Sequence, residues 1–154
     1  MKGLGAPVGS LLCGSNSFVK AAVVTKKLLG GNMRQAGVIA AAGKYALEHN
    51  ISTLKEDHRR AQITFNALGK LKYISLPKEV QTNILIMDIE KTGLSSETFI
   101  SALKKRGLWI SSSGGTRVRM VFYRGIKDED ATEAAKIIRN FECDLHKSFT
   151  SYKN

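Results

Sequence analysis

Two stretches of this chain put residues capable of chemistry in surroundings that suit them. The first opens the sequence, where Lys2 is followed by Gly3-Leu4-Gly5-Ala6-Pro7-Val8-Gly9-Ser10. Small residues around a lysine let its amine approach a bulky planar group without side-chain collision. A lysine that forms a Schiff base must also spend time neutral, so it needs an electropositive or desolvated setting that depresses its pKa. On the residues alone, a lysine ahead of a Gly/Pro turn needs no chemistry, and that plainer reading is the default. The second stretch is Lys26-Lys27-Leu28-Leu29-Gly30-Gly31-Asn32-Met33-Arg34-Gln35-Ala36-Gly37. Its glycines free the backbone just before a helix start, with Lys27 and Arg34 on either side. Helix amino termini attract anions, and flanking cations add to that attraction. A plain helix corner with solvated charges fits these residues equally well.

Other motifs fail on spacing. Gly3-x-Gly5-x-x-x-Gly9 places its third glycine one residue late for a dinucleotide fingerprint, and Pro7 removes an amide. Gly37 to Gly43-Lys44 has an extra residue for a phosphate loop, and Tyr45 stands where Ser or Thr is needed, so the segment reads as helix interior. His49, His58 and His146 form no metal-ligand pattern, and no metal site is expected. His58 reads as a hydrogen-bonded core histidine, and Asp57-His58 beside Ser52 makes no triad on spacing alone. Cys13 and Cys143 have no ligand spacing and read as two buried reduced thiols, which points to the cytoplasm. No apolar run reaches the ~20 residues that span a bilayer, because Lys20, Lys26 and Lys27 interrupt the best candidate. No membrane partner is therefore expected. The formal charge of +11 raises the question of an anionic partner. Its lysines and arginines are scattered rather than blocked, which describes solvated helix faces, and no nucleic-acid partner is expected. The competing reading is a basic α/β nucleic-acid-binding module, for which Trp109, Phe122 and Tyr123 are the available stacking aromatics.

The elements that must carry these residues follow from periodicity. Leu11-Leu12-Cys13 reads as a short strand, and Ser15 or Asn16 caps a helix to about Leu29. Residues 33–49 read as a helix whose face of Ala36, Ile39, Ala40, Gly43 and Leu47 permits close packing. A capping box at Ser52-Thr53 with Glu56 opens a third helix with a stripe of Leu54, His58, Ala61, Phe65 and Leu68, which Gly69 can end. Strands are expected at 71–76, 83–89, 108–111 and 117–123, with a turn at 112–115. Helices are expected from Ser95 or Ser96, with Phe99, Ala102 and Leu103 inward, and from Asp128 into the 140s. The class is α/β, with residues 1–50 a remnant of a larger sheet domain and 51–154 a small antiparallel sheet with helices on one face. The stretch Met1–Pro7 is expected to be loose.

Taken together, the two opening stretches resemble the threonine aldolases of the fold-type I pyridoxal-phosphate family. That family's cofactor loop reads Ser-Lys-Gly-Leu-Gly-Ala/Thr-Pro-Val-Gly-Ser, matched from Lys2 to Ser10. Its next motif, Lys-Met-x-Gly-Gly-Gly-Met-Arg-Gln-x-Gly, is similar to Lys27–Gly37 with Leu28 and Asn32 substituted. Tyr45-Ala46-Leu47, Glu56-Asp57-His58, Thr82-Asn83 and Val118-Arg119-Met120-Val121 extend the resemblance over nearly all of the chain. It implies pyridoxal phosphate as cofactor and Lys2 as the Schiff-base lysine. It further implies Lys27 and Arg34 at the cofactor phosphate of a neighbouring subunit in a homo-oligomer, and Arg119 as the clamp on an amino-acid substrate's carboxylate. The reaction implied is cleavage of threonine or allo-threonine to glycine and acetaldehyde. The sequence departs from the family at Met1, where the family has serine, and at Val121-Phe122-Tyr123-Arg124-Gly125, where it has Val-Thr-His-x-Asp. The resemblance covers the carboxy-terminal half, and the family's ring-stacking histidine, pyridine-nitrogen aspartate and most of its phosphate cup belong to the other half. The chain is therefore expected to be inactive alone.

Overall fold

The computed structural model describes residues 3–151 and divides the chain into two units, Met1–Ser52 and Thr53–Asn154. In the first unit, α1 (Asn16–Leu28) starts where Ser15 Oγ accepts from the Phe18 amide at 3.3 Å. The second helix, α2 (Gly37–His49), begins four residues later than the expected 33–49, because residues 34–36 form a turn first. The expected strand at Leu11–Cys13 is absent. A strand needs a neighbour to take its amides and carbonyls, and this segment pairs with none among the described residues. The expectation of a loose start also fails over residues 3–7: Asn50 Nδ2 donates to Leu4 O at 2.8 Å, and Ala6 is buried. This unit has almost no core of its own. No residue of α1 is buried, α2 buries only Ala46, and Leu28 and Leu29 are each 81% exposed.

The second unit is built on a three-stranded antiparallel sheet, ordered β1 (Ile84–Asp88), β3 (Arg117–Val121), β2 (Ser111–Ser112). Its register pairs Leu85 with Met120 and Met87 with Val118, and these four side chains form the buried face. Three helices cover that face: α3 (Leu54–Leu68), α4 (Ser96–Lys105) and α5 (Asp128–Ser151). At the centre, Phe99 of α4 meets Phe141 of α5 edge-to-face, with ring centroids 5.1 Å apart. On the expected face of α4, Phe99 and Leu103 are buried and Ala102 is half-buried, while α5 buries Ala131, Ala134, Ile138 and Phe141. Gly69 ends α3 with a left-handed φ of 59°, and Arg139 Nη1 donates to the exposed carbonyls of Ala67 and Leu68 at 3.3 and 3.1 Å.

Five expectations need correction here. No capping box forms, because residues Ile51–Thr53 make a 3-10 turn that leads into α3 with Thr53 already helical. The buried stripe of α3 is Asp57, Ala61, Thr64 and Leu68, so His58 is exposed rather than in the core. Thr64 accepts burial because its hydroxyl donates to Ala131 O at 2.8 Å. Residues 71–76 contribute only the single bridge Ser75–Asp88, since the amides of Tyr73 and Ile74 donate to Glu142 Oε1 of α5. The strand expected at 108–111 shrinks to Ser111–Ser112, and both cysteines are exposed rather than buried.

Ion pairs tie the start of α3 to the start of α5. Asp128 accepts from Arg59 Nη2 at 2.7 Å and from Arg60 Nε at 3.1 Å. The Arg59 hydrogen bond, with Arg60 adding to it, holds the Asp128 carboxyl below the usual carboxylate range. Such a group stabilises the fold above its unfolded pKa, and the contribution is lost as pH falls through the folded value. Asp57 has the opposite sign, because burial pushes its carboxyl up and Arg60 only partly offsets this. Its ionisation penalises the fold at neutral pH and costs nothing once the group is protonated in both states. Asp128→Asn should therefore lower the melting temperature at pH 7, while Asp57→Asn should raise it. Both differences should vanish in circular-dichroism melts well below the free aspartate pKa of about 3.9.

Candidate cofactor loop and carboxylate site

The connection between α1 and α2 is a closed, cation-flanked loop. At its start the amide of Gly31 donates to Lys26 O at 2.8 Å, and that of Gly30 to Lys27 O at 3.1 Å. Gly30 has φ of 73°, a conformation glycine adopts without penalty. At Gly31 a Cβ would lie 2.9 Å from Lys26 Cγ and 3.1 Å from Lys26 O, so only glycine lets the chain fold back this tightly. The amides of Asn32, Met33 and Arg34 donate to no described backbone group. Gln35 is the single non-glycine residue with positive φ among the described residues, at 50°. Sequence reasoning did not find it, and strained backbone of this kind concentrates at ligand clamps.

Lys27, in the last turn of α1, and Arg34, in the turn before α2, both stand exposed on this connection. Nearby, Val8–Leu11 and Met33 face the small-residue side of α2, including Ala36, Ile39, Ala40 and Gly43, around a cavity of about 670 Å³. Lys26 and Lys44 also line it. The open space at Gly9, Gly30 and Gly37, the unengaged amides and the cations fit the phosphate end of a pyridoxal phosphate. Lys2 lies outside the described residues.

Arg119 belongs to the second unit. It sits at the middle of β3, on the face opposite the core, across from Ile86 of β1 and Ser111 of β2. Its Nε donates to Ser111 Oγ at 3.2 Å, a positioning contact that the sequence did not reveal. Arg117 shares that face but stands opposite Asp88, whose carboxylate accepts from the Glu90 amide at 3.0 Å and from Thr116 Oγ1 at 2.9 Å. Those two hydrogen bonds, with Arg117 adding its charge, lower the Asp88 pKa. The three aromatics do not form one exposed platform, since Phe122 is buried and Lys104 lies 4.2 Å over the Trp109 ring. Among the described residues no cluster of acids, histidines and cysteines could hold a metal, and no helix is long and apolar enough to cross a membrane.

Comparison with known proteins places this geometry. A sequence model described as beta-eliminating lyase matches residues 1–92. The chain belongs to the beta-eliminating lyase family. It is 38% identical over 131 residues to low-specificity L-threonine aldolase 1 of Arabidopsis thaliana, covering 84% of this chain and 37% of the relative. It is 47% identical over 139 residues to a probable low-specificity L-threonine aldolase of Schizosaccharomyces pombe, covering 90% and 33%. The chain thus spans little more than a third of the curated relatives it matches. In structure it is similar to LysN, an alpha-aminoadipate aminotransferase from Thermus thermophilus complexed with N-(5'-phosphopyridoxyl)-L-leucine. The TM-score is 0.65 at 13% identity, covering 86% of this chain and 37% of that one. The fold is that of the fold-type I enzymes, as the sequence resemblance implied.

For this member of the family, the loop geometry has a direct test. Titration with inorganic phosphate should move the amide resonances of Gly31–Arg34 in two-dimensional NMR, and Arg34→Ala should abolish the shift. Stationary signals there, with shifts elsewhere, would remove the anion-loop reading.

Proposed function

We propose that this chain is part of a pyridoxal-phosphate-dependent aldolase that cleaves threonine or allo-threonine to glycine and acetaldehyde. The observation that carries the reading is the cation-flanked glycine loop. It lies in a chain whose opening motif and curated relatives are those of threonine aldolases. When bound, the cofactor would act as an electron sink for bond cleavage next to the amino group. Lys2 is the residue proposed to hold it covalently. Lys27 and Arg34 neutralise its phosphate, working across a subunit boundary in a homo-oligomer. The exposed apolar residues of α1 and α2 support association of this kind.

Arg119 binds the substrate carboxylate in this proposal. A guanidinium can meet a carboxylate with two parallel hydrogen bonds. Asp88 already answers the charge of Arg117, its partner in the strand register, while Arg119 faces Ile86 and a neutral serine. A cytoplasmic location is part of the same reading, supported by two unpaired thiols. Among the described residues the cavity beside the glycine loop is lined by one carboxylate, Glu48, and no histidine, so turnover is proposed to need further groups.

Three measurements test this. The purified chain, given pyridoxal phosphate and then reduced with borohydride, should carry the pyridoxyl label at Lys2, and Lys2→Ala should lose it. Label spread evenly over many lysines would sink the assignment. The chain alone should release no acetaldehyde from threonine. In an assembly that does turn over, Arg119→Lys should raise KM by the equivalent of ~1–3 kcal/mol, and Arg117→Lys should leave it near the parent value.

A further inference from the structure

At the start of α3, the second unit carries a buried carboxylate with one oxygen unanswered. Asp57 is 2% exposed, and its Oδ2 has no hydrogen-bond partner among the described residues. Buried polar atoms are almost always satisfied, so an orphaned carboxylate oxygen calls for a ligand or a functional reason. Its other oxygen makes only a loose ion pair, with Arg60 Nη1 at 3.7 Å, and Arg60 directs its Nε to Asp128. The cleft that Asp57 lines has a volume of about 480 Å³ and is also lined by residues 124–127. There Arg124 and Lys127 present side-chain charges that form no ion pair among the described residues. Glu56, also on the wall, is taken by Arg59 at 2.8 Å.

We infer that this cleft binds a small zwitterionic amino acid, with its ammonium on the free oxygen of Asp57 and its carboxylate against Arg124 and Lys127. A lone cation would meet Asp57 but also three positive side chains, Arg60, Arg124 and Lys127. A lone anion would find those cations but also the Asp57 charge. A zwitterion answers both ends at once and adds no net charge to the cleft. An ammonium donates three hydrogens and suits a carboxylate oxygen that lacks a donor. Half-buried Ile126 supplies an apolar wall for a short side chain, and the volume accommodates one. Burial keeps the Asp57 carboxyl above its usual range, and an ammonium contact would draw it back down. The site lies wholly in the second unit, on residues 53–60 and 124–127.

The test uses the chain without cofactor. Glycine is titrated into labelled protein while amide signals of Asp57–Arg60 and Arg124–Lys127 are followed, with methylammonium and acetate as separate half-ligands. Glycine should give saturable shifts at both segments, and each half-ligand should bind about tenfold or more weakly, as expected for loss of one charged hydrogen-bonding end. Asp57→Asn should weaken glycine by a similar factor. Arg124→Ala with Lys127→Ala, at exposed positions where folding is not at stake, should do the same. Glycine shifts no stronger than those of acetate or methylammonium would overturn the inference. So would unchanged affinity in either variant. Mislabelling at Lys2 would defeat the cofactor reading while leaving these results untouched.

Discussion

The sheet of the second unit has one face to bury and one to leave open, and this single alternation fixes most of what surrounds it. Leu85, Met87, Val118 and Met120 point one way because strand side chains alternate with period two. Covering them requires helices on that side, which α3, α4 and α5 supply, and Phe99 and Phe141 fill the space at the centre. The same alternation turns Arg117 and Arg119 outward with no freedom to do otherwise. A one-residue slip in register would bury both guanidinium groups and expose the core. Arg119 is therefore available to a ligand for the same reason that Val118 and Met120 are not.

Apart from the Asp57 Oδ2, the polar groups that enter this part of the core are answered by particular partners, and the pattern of α3 depends on them. Thr64 is buried against α5 with its hydroxyl on Ala131 O, and Glu142 collects two amides from the segment before β1. These contacts explain why periodicity misread two places. A stripe of Leu54, His58, Ala61, Phe65 and Leu68 is more hydrophobic than the real one, Asp57, Ala61, Thr64 and Leu68. Apolar counting selects the first unless the Thr64 and Asp57 environments are known. Residues 71–76 have strand composition, but their amides find a carboxylate on α5 sooner than a neighbouring strand. Both are tertiary decisions, and no local propensity encodes them.

Other features were legible because their cause is local. Ser15 and Ser95 cap helices with their own side chains, Gly69 takes the left-handed φ that ends α3, and the short apolar run from Ile84 to Met87 has the length of a strand. The candidate site divides along the same line. Lys27, Arg34 and the glycines between them are visible as a motif, since residue type and spacing define it. Gln35's positive φ, Ser111 beneath Arg119 and the orphaned Asp57 oxygen are invisible, because each depends on geometry that distant segments impose.

The first unit poses the sharpest physical question, because it holds the glycine loop without a core to hold the loop in place. A helix of this length draws little stability from its own hydrogen bonds, and burial of an apolar face normally supplies the rest. Here α1 buries nothing, and Leu28, Leu29, Met33 and Val38 lie open on either side of the loop. An exposed apolar surface so close to a cluster of cations is costly unless something covers it, and a solvated helix corner gains nothing by keeping it. Any surface that covered it would also cover the flanks of Lys27 and Arg34. Covering those flanks would also exclude water from the loop, which strengthens the attraction of its cations for a phosphate. Order in the loop and burial of α1 would then be one event, because contacts that stabilised the helix would also tune the charges at its end.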